Sequence, residues 1–374
     1  MSHVIYFWQR IITPHMAYLA ETLAEMGHSV VYVANQSMSP DRKNMGWTAP
    51  VLKHASLQIA TNAGEITTLV TSAPLNSVHF CQGLRANGLV GIAQKELVRR
   101  SLRQWVLIET VDDAGYDGFL KRLVYRLLLW RWRSRLQGIL AIGWKTSDWL
   151  ISLGANPDTT FPFAYFLAST DLKTARNRPY GSPLRFLFVG QLILRKRVDY
   201  LIKALVDLQE HQFELVVVGD GPMRQTWQAL ADVLLPGRVI WVGRMGMANI
   251  QNEMNNADCL VLPSRHDGWG AVVSEALMSG TPVVCSSACG SSGVVKASNR
   301  GGVFPAGDVR ALTIALQKIL AAGPLDIEER TALAQWATSL GTQEGACYLQ
   351  NILADTERPV PPWDRLQGFE KTVH

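Results

Sequence analysis

No apolar run in this 374-residue chain is long enough to span a bilayer, and its first apolar stretch breaks at Gln9-Arg10 with no cleavable signal pattern. Those absences predict a cytoplasmic protein. Its five cysteines, Cys81, Cys259, Cys285, Cys289 and Cys347, lack metal-binding spacing, and three lie in or beside apolar stretches. Neither a structural metal nor a disulfide framework is expected. Charge is sparse: 18% charged residues against 48% hydrophobic mark a globular chain, long enough for two domains. It is also uneven, with 19 Lys and Arg against 12 Asp and Glu in residues 1–180, and 17 against 19 in residues 181–374. A basic first half favours anionic partners such as phosphate groups, nucleic acid or acidic lipid headgroups.

Val4–Trp8 and Ser29–Ala34 read as strands flanking a helix from Thr13 to Met26, a βαβ opening. Strand-like runs recur at Ser77–Cys81, Trp105–Ile108 and Ile139–Ile142. Residues Ser169–Pro183 are polar, carry Pro179 and Gly181, and read as a linker. Beyond them alternation is regular: strand Leu184–Val189, helix Val198–Gln209, strand Glu214–Val218, helix Met223–Leu234, strand Val239–Val242 and helix Ala248–Asn255. The pattern predicts an α/β fold with two domains, 1–170 and 184–355, and a tail over 356–374 that returns to the first, with Trp363 in it. Gly190, Gly219, Gly243 and Pro263 mark successive strand ends, where open parallel sheets bind ligands.

The most informative stretch runs from Pro263 to Cys285 and places Asp267 and Glu275 around a glycine-flanked helix start. Cys259–Pro263 is a buried-strand run, Asp267-Gly268-Trp269-Gly270 lacks helical character, and Ala271–Met278 is helical until Gly280. The first amides of a helix have no partner and sit at its positive pole, and glycines let a ligand approach. Seven residues lie between Asp267 and Glu275, so the two acids stand roughly 12 Å apart along the helix. An extended ligand such as a nucleotide sugar fits, with its sugar at Asp267, its diphosphate over the glycines and its ribose at Glu275. The same residues also fit an ordinary βα loop capped by Asp267.

After Gly190-Gln191 come three consecutive bases, Arg195, Lys196 and Arg197, expected in the first turn of the following helix. Cations there oppose the helix dipole unless an anion is close, so Arg195 and Lys196 suit a diphosphate, while a solvated basic loop is the plainer alternative. Gly219-Asp220-Gly221-Pro222 is a tight turn, and Gly243-Arg244-Met245-Gly246 a flexible loop able to cradle a base by its backbone.

In this order these loops resemble glycosyltransferase family 4, the retaining group with the GT-B fold: two facing Rossmann-like domains with a cleft between them. The matching residues are Gly190-Gln191, Arg195-Lys196, Val218–Pro222, Gly243–Met245, and Pro263-Ser264 through Glu275, over residues 184 to about 295. The resemblance implies that Arg195 and Lys196 bind the donor diphosphate, Asp267 and Gly268–Gly270, with Trp269 and Ala271, the sugar and phosphate, and Glu275 the ribose. It also implies front-face retention, with no cofactor or metal because cations replace it. Here Asp267 stands where Glu is usual, shortening the acid by about 1.5 Å. Arg197 stands where Gly is usual, and Gln191 where Arg is common. The Gly290-Ser291-Ser292-Gly293 loop indicates no particular sugar.

The first domain matches less. In place of the expected glycine pair after strand one is Gln9–His15, where Pro14 presets a helix start, Thr13 suits a cap, and His15 suits a phosphate contact or a partly buried packing role. Glu109 ends its strand where many relatives carry a histidine, and could hydrogen-bond a sugar or act as a base, or be a surface acid. Lys121–Arg135 reads as a basic helix with Arg122, Arg126 and Arg133 on one face and interfacial Trp130 and Trp132, suited to an anionic membrane, or else as a packed surface helix. The predicted activity is transfer of a sugar from a nucleotide diphosphate sugar, UDP-sugar first and GDP-sugar second, to a glycan, lipid-linked or small-molecule acceptor. A GT-B 2-epimerase and a non-catalytic nucleotide-sugar-binding module are the alternatives. Nucleic acid is not an expected partner, because the basic residues follow no nucleic-acid motif.

Overall fold

The computed structural model describes residues 2–38, 49–85, 87–168, 181–354 and 357–365. They form two α/β units. The first runs to Ala168 and takes back Gly341–Pro361, and the second runs to Leu340 and takes the helix Pro362–Arg365.

The first unit is built on seven parallel strands: β1 (Val4–Ile11), β2 (Ser29–Gln36), β3 (Ser56–Ile59), β4 (Val78–Gln82), β5 (Arg103–Glu109), β6 (Gly138–Ile142) and β7 (Thr160–Phe163). Their order is β3-β2-β1-β4-β5-β6-β7. A parallel sheet covered on both faces needs near-continuous apolar strands, and β1 buries Ile5, Tyr6, Phe7 and Trp8 in succession. The polar exception is satisfied. Trp8 Nε1 donates to His79 Nδ1 at 3.1 Å, and His79 Nε2 meets Ser77 Oγ at 2.9 Å, an arrangement that assigns the Nε2–H tautomer. Burial, aided by the Arg100 charge, pushes the His79 pKa down to about 3, so this ring is a neutral core member.

The second unit carries six parallel strands: β8 (Leu184–Val189), β9 (Phe213–Val218), β10 (Val239–Gly243), β11 (Cys259–Leu262), β12 (Val283–Ser286) and β13 (Gly301–Phe304), in the order β10-β9-β8-β11-β12-β13. The expected strand Leu184–Val189 and helix Ala271–Met278 occur with those limits.

Two domain expectations need correction. The chain crosses between units at Leu340–Gly341, so residues 341–354 leave the second domain. The helix Thr342–Ala354 buries Ala346, Tyr348, Leu349 and Ile352 in the first unit, where Tyr348 Oη donates to the Pro162 carbonyl at 3.0 Å. Arg358 then binds the Pro157 and Thr160 carbonyls, both at 2.7 Å, and lies over the Phe161 ring. Trp363 does not return to the first unit; it is buried with the helix Pro362–Arg365 in the second. The expected linker falls mostly on residues 169–180, outside the described residues, as do parts of the tail at 356 and 366–374. Among the described residues no helix is long and apolar enough to cross a membrane.

Candidate functional site

In the second unit the sheet order reverses between β8 and β11, and such a switch point opens a crevice beyond the strand ends. The loops leaving these two strands carry Arg195, Lys196 and Asp267. Lys196 is not in the first turn of the next helix, as the sequence suggested. It closes a separate 3-10 turn, Leu194–Lys196, and Arg197 follows at φ 52°, ψ 42° before the helix Val198–Val206 begins. That left-handed residue turns the chain. Its guanidinium is held by Asp199 at 2.8 Å and by the Tyr200 ring face at 3.7 Å.

The turn brings Lys196 Nζ to 2.5 Å from Asp267 Oδ2. Arg195 Nη1 donates to the His266 carbonyl at 2.6 Å and stands 3.5 Å from Asp267 Oδ1. Ser264 Oγ donates to Asp267 Oδ2 at 3.4 Å. One carboxylate is thus shared by two cations and a hydroxyl. The backbone of Asp267 is fixed too, its N–H on the Ala288 carbonyl at 3.1 Å and its carbonyl receiving the Gly290 N–H at 2.9 Å.

Glycines make this packing possible. A Cβ on Gly219 would lie 1.9 Å from the Gly190 carbonyl oxygen, and one on Gly290 would lie 2.0 Å from the Gly268 oxygen. Gly190, Gly219 and Gly243 are laced together: Gly190 N–H donates to Val218, and Gly219 N–H to Gly243. Asp220 receives the Gly221 N–H at 2.8 Å and lies 3.5 Å from Arg244 Nε, which orders this turn from within. Met245 is half-buried and Gln191 is exposed.

The helix Ala271–Met278 starts at Gly270, φ 86°, with no side chain capping its first amides. The Val273 N–H donates to the Gly270 carbonyl at 2.9 Å, and the positive pole of this helix start suits an anion. The Trp269 side chain is buried, its Nε1 donating to Ser274 Oγ at 3.1 Å, so a ligand can meet this residue only through its backbone. Glu275 retains some surface, yet protein atoms crowd its carboxyl, and that desolvation pushes its pKa up to about 7. Among the described residues no side chain neutralises it. A desolvated acceptor without a donor is suited to ligand hydroxyls.

The first unit gathers its own cluster at the ends of β1, β5 and β7. Glu109 accepts a hydrogen bond from Tyr165 Oη, and the Tyr165 ring stacks on His15 with centroids 4.9 Å apart. Thr13 precedes the helix Pro14–Glu25 without capping it, and its Oγ1 is buried and unpartnered among the described residues. Sequence reasoning named Thr13, His15 and Glu109 but not Tyr165, which joins the other two from 56 residues beyond Glu109. Nor did it name Ser264. Elsewhere in this unit Glu21, Glu25 and His54 have metal-compatible spacing, but Glu21 already accepts the backbone N–H groups of Lys53, His54 and Ala55.

The expected basic helix is found at Gly115–Trp132, starting six residues earlier than expected. Trp132 is buried, which removes it from any interface with lipid, and Arg122 is paired to Asp113 at 2.6 Å.

The profile of the glycosyl transferases group 1 matches residues 170–339. That match covers a little under half of the chain and marks the second unit as similar to the group 1 glycosyltransferases. It is 36% identical over 112 residues to an uncharacterized glycosyltransferase of Methanocaldococcus jannaschii, covering 29% of each chain. It is 29% identical over 211 residues to the 2-deoxystreptamine glucosyltransferase of Streptomyces kanamyceticus, covering 52% of this chain and 53% of that protein. The matches thus span about a third to a half of these relatives' lengths. Among solved structures, the lipopolysaccharide outer core galactosyltransferase WaaB superposes with a TM-score of 0.71 at 14% identity, over 95% of this chain and 100% of that one. Anabaena HepE in complex with UDP gives 0.72 at 13%, with the same coverage. These likenesses establish the fold: the two Rossmann-like units are those of the GT-B class.

Proposed function

We infer that the protein transfers a sugar from a nucleotide diphosphate sugar, UDP-sugar in first place, to a glycan, lipid-linked or small-molecule acceptor. The observation that carries this reading is the Lys196–Asp267–Arg195 cluster at the sheet's switch point, beside an uncapped helix start and the solitary Glu275 carboxylate. Arg195 and Lys196 would neutralise the diphosphate, so that the leaving group departs without a metal. Asp267 would give up part of its hold on Lys196 and accept sugar hydroxyls, and Glu275 would accept those of the ribose. Gly190, Gln191, Gly219, Asp220, Gly243, Arg244 and Met245 would frame the donor, largely by backbone.

On the first unit, Thr13, His15 and Glu109 are the acceptor or phosphate contacts of this reading. Glu109 would act as acceptor base or hydroxyl ligand, with Tyr165 holding it in place. Support for a UDP donor comes from HepE, solved with UDP and with UDP-glucose. Support for a small-molecule acceptor comes from the 2-deoxystreptamine glucosyltransferase. Retention of the anomeric configuration, action on the cytoplasmic side and peripheral contact with an anionic membrane belong to the same reading.

Melting temperature in the presence of UDP-, GDP- and ADP-sugars tests it, in wild type and in Lys196→Ala and Glu275→Ala. A rise with one nucleotide class that both variants lose supports the donor site, since binding stabilises with the logarithm of ligand concentration. No rise with any nucleotide removes it. With an acceptor library, proton NMR of the product then reads the anomeric configuration. Free epimerised sugar formed without acceptor would mark an epimerase instead.

A further inference from the structure

The helix Gly115–Trp132 is apolar on two opposite faces. One face buries Gly118, Tyr125, Leu129 and Trp132 in the first unit. The other exposes Tyr116, Phe119, Leu120, Leu123, Leu127 and Trp130, each between 43% and 77% accessible. These six recur at intervals of three, four and seven, and at about 100° per residue they fill an arc of roughly 100° along a helix about 27 Å long. A contiguous apolar stripe of that length on a protein surface marks an interaction site.

Its flanks indicate the partner. By the same helical geometry Arg126 and Arg133 lie along one side of the stripe and Arg131 along the other, all exposed. Arg126 and Arg131 have no acidic partner among the described residues. Arg133 lies over the Trp130 ring at 5.8 Å. Apolar side chains with two arginines along one side and one along the other, and tryptophan at one end, match the layering of a bilayer surface, where acyl chains lie beneath anionic headgroups. The charged residues within the helix preclude a spanning role.

We propose that this helix lies in the plane of an anionic lipid bilayer, with Tyr116, Phe119, Leu120, Leu123, Leu127 and Trp130 inserted and Arg126, Arg131 and Arg133 on headgroup phosphates. The proposal rests on the reading that the protein works at a membrane, and it fixes which face enters. That face differs from the one sequence suggested, where Arg122 was a contact and Trp132 an anchor.

Sedimentation of the full chain with phosphatidylcholine vesicles, with and without phosphatidylglycerol, tests it. Wild type should bind the anionic vesicles, and Leu127→Glu/Trp130→Glu should bind at least about tenfold more weakly. Arg126→Glu/Arg131→Glu should lose the preference for phosphatidylglycerol. Tyr116→Ser/Phe119→Ser, at the other end of the stripe, should repeat the first result, and an unchanged melting response to UDP-sugar would show that the variants fold. Wild type binding neither vesicle would overturn both the docking face and the membrane part of the functional reading. Wild-type-like binding by both stripe variants would overturn the face alone. A dimer in solution that the stripe variants dissociate, without vesicle binding, would overturn the proposal in favour of a second copy of the chain.

Discussion

Lys196 Nζ and Asp267 Oδ2 are 71 residues apart in the chain and 2.5 Å apart in space, with each residue 9% exposed. Little solvent screens this pair. Removing one member leaves the other charge desolvated and short of its nearest partner, which is far worse than an exposed pair lost. Lys196→Ala is therefore expected to lower unfolding stability by about 3 kcal/mol. Asp267→Ala should lose at least as much, because it leaves Lys196 desolvated with Arg195 as a second unneutralised cation nearby, whereas Asp267 keeps Arg195 and Ser264 when Lys196 is removed. In urea unfolding, Lys196→Ala/Asp267→Ala should lose at least about 1 kcal/mol less than the sum of the single variants. Additive losses would mean the pair is not coupled in solution.

Arg197 occupies the left-handed region at φ 52°, which costs a non-glycine residue about 1 kcal/mol. Its contacts with Asp199 and Tyr200 offset that strain. Arg197→Ala keeps the strain and loses both contacts, so it should destabilise by about 1 kcal/mol. Arg197→Gly loses the same contacts but relieves the strain, and should melt above Arg197→Ala. The reverse order in a thermal melt would show that the turn relaxes when the side chain is removed.

Arg197 also shows where the sequence could be read and where it could not. Leu184–Val189 and Ala271–Met278 were legible to the residue because glycine or proline bounds an apolar run. Ser56–Ile59 was not, because all four residues of this edge strand are exposed and no burial pattern marks it. Three consecutive bases read as a helix start, whereas a positive φ at a non-glycine residue has no local signal, and it shifted Arg195 and Lys196 into their own turn. Tyr165 escaped notice because its partners, His15 and Glu109, come from distant strand ends that only the folded sheet brings together. Trp132 and Trp130 differ by two residues and so by about 200° around the helix, enough to bury one and expose the other. Composition gave them the same character.

Gly219 and Gly290 are positions where any side chain meets backbone. A Cβ at either would overlap a carbonyl oxygen at 1.9 or 2.0 Å, against Gly190 and Gly268 respectively, and neither obstacle can rotate away. Gly219→Ala carries the added strain of φ 131°. Each substitution should destabilise by about 3 kcal/mol or more and weaken nucleotide-sugar binding along with it. Gly307→Ala is the control, since it also has a positive φ, 88°, but its Cβ would meet nothing within 4 Å. Thermal melts of the three should place Gly307→Ala nearest wild type; a loss at Gly307→Ala equal to that at Gly219→Ala would assign the Gly219 effect to φ and not to the close approach.

Glu275 sets stability against binding. Its ordinary pKa of 4.5 is raised to about 7 by desolvation. Below the lower value the carboxyl is protonated in folded and unfolded chains alike and has no effect on stability. Between the two, the unfolded chain ionises first, so stability falls as pH rises, and above about 7 the whole loss is present. Glu275→Gln removes the ionisation and should stabilise the protein at pH 8 by on the order of 2 kcal/mol, discounting for the carboxyl's residual exposure, with little gain at pH 4. Nucleotide-sugar affinity should move the other way. An ionised carboxylate accepts ribose hydroxyls better than a neutral one, so wild-type affinity should rise between pH 6 and 8, while that of Glu275→Gln should be weaker and flat. Calorimetric titration with UDP-glucose, whose diphosphate does not titrate in this range, separates the outcomes. Parallel pH dependence in wild type and variant would exclude Glu275 from the ribose contact.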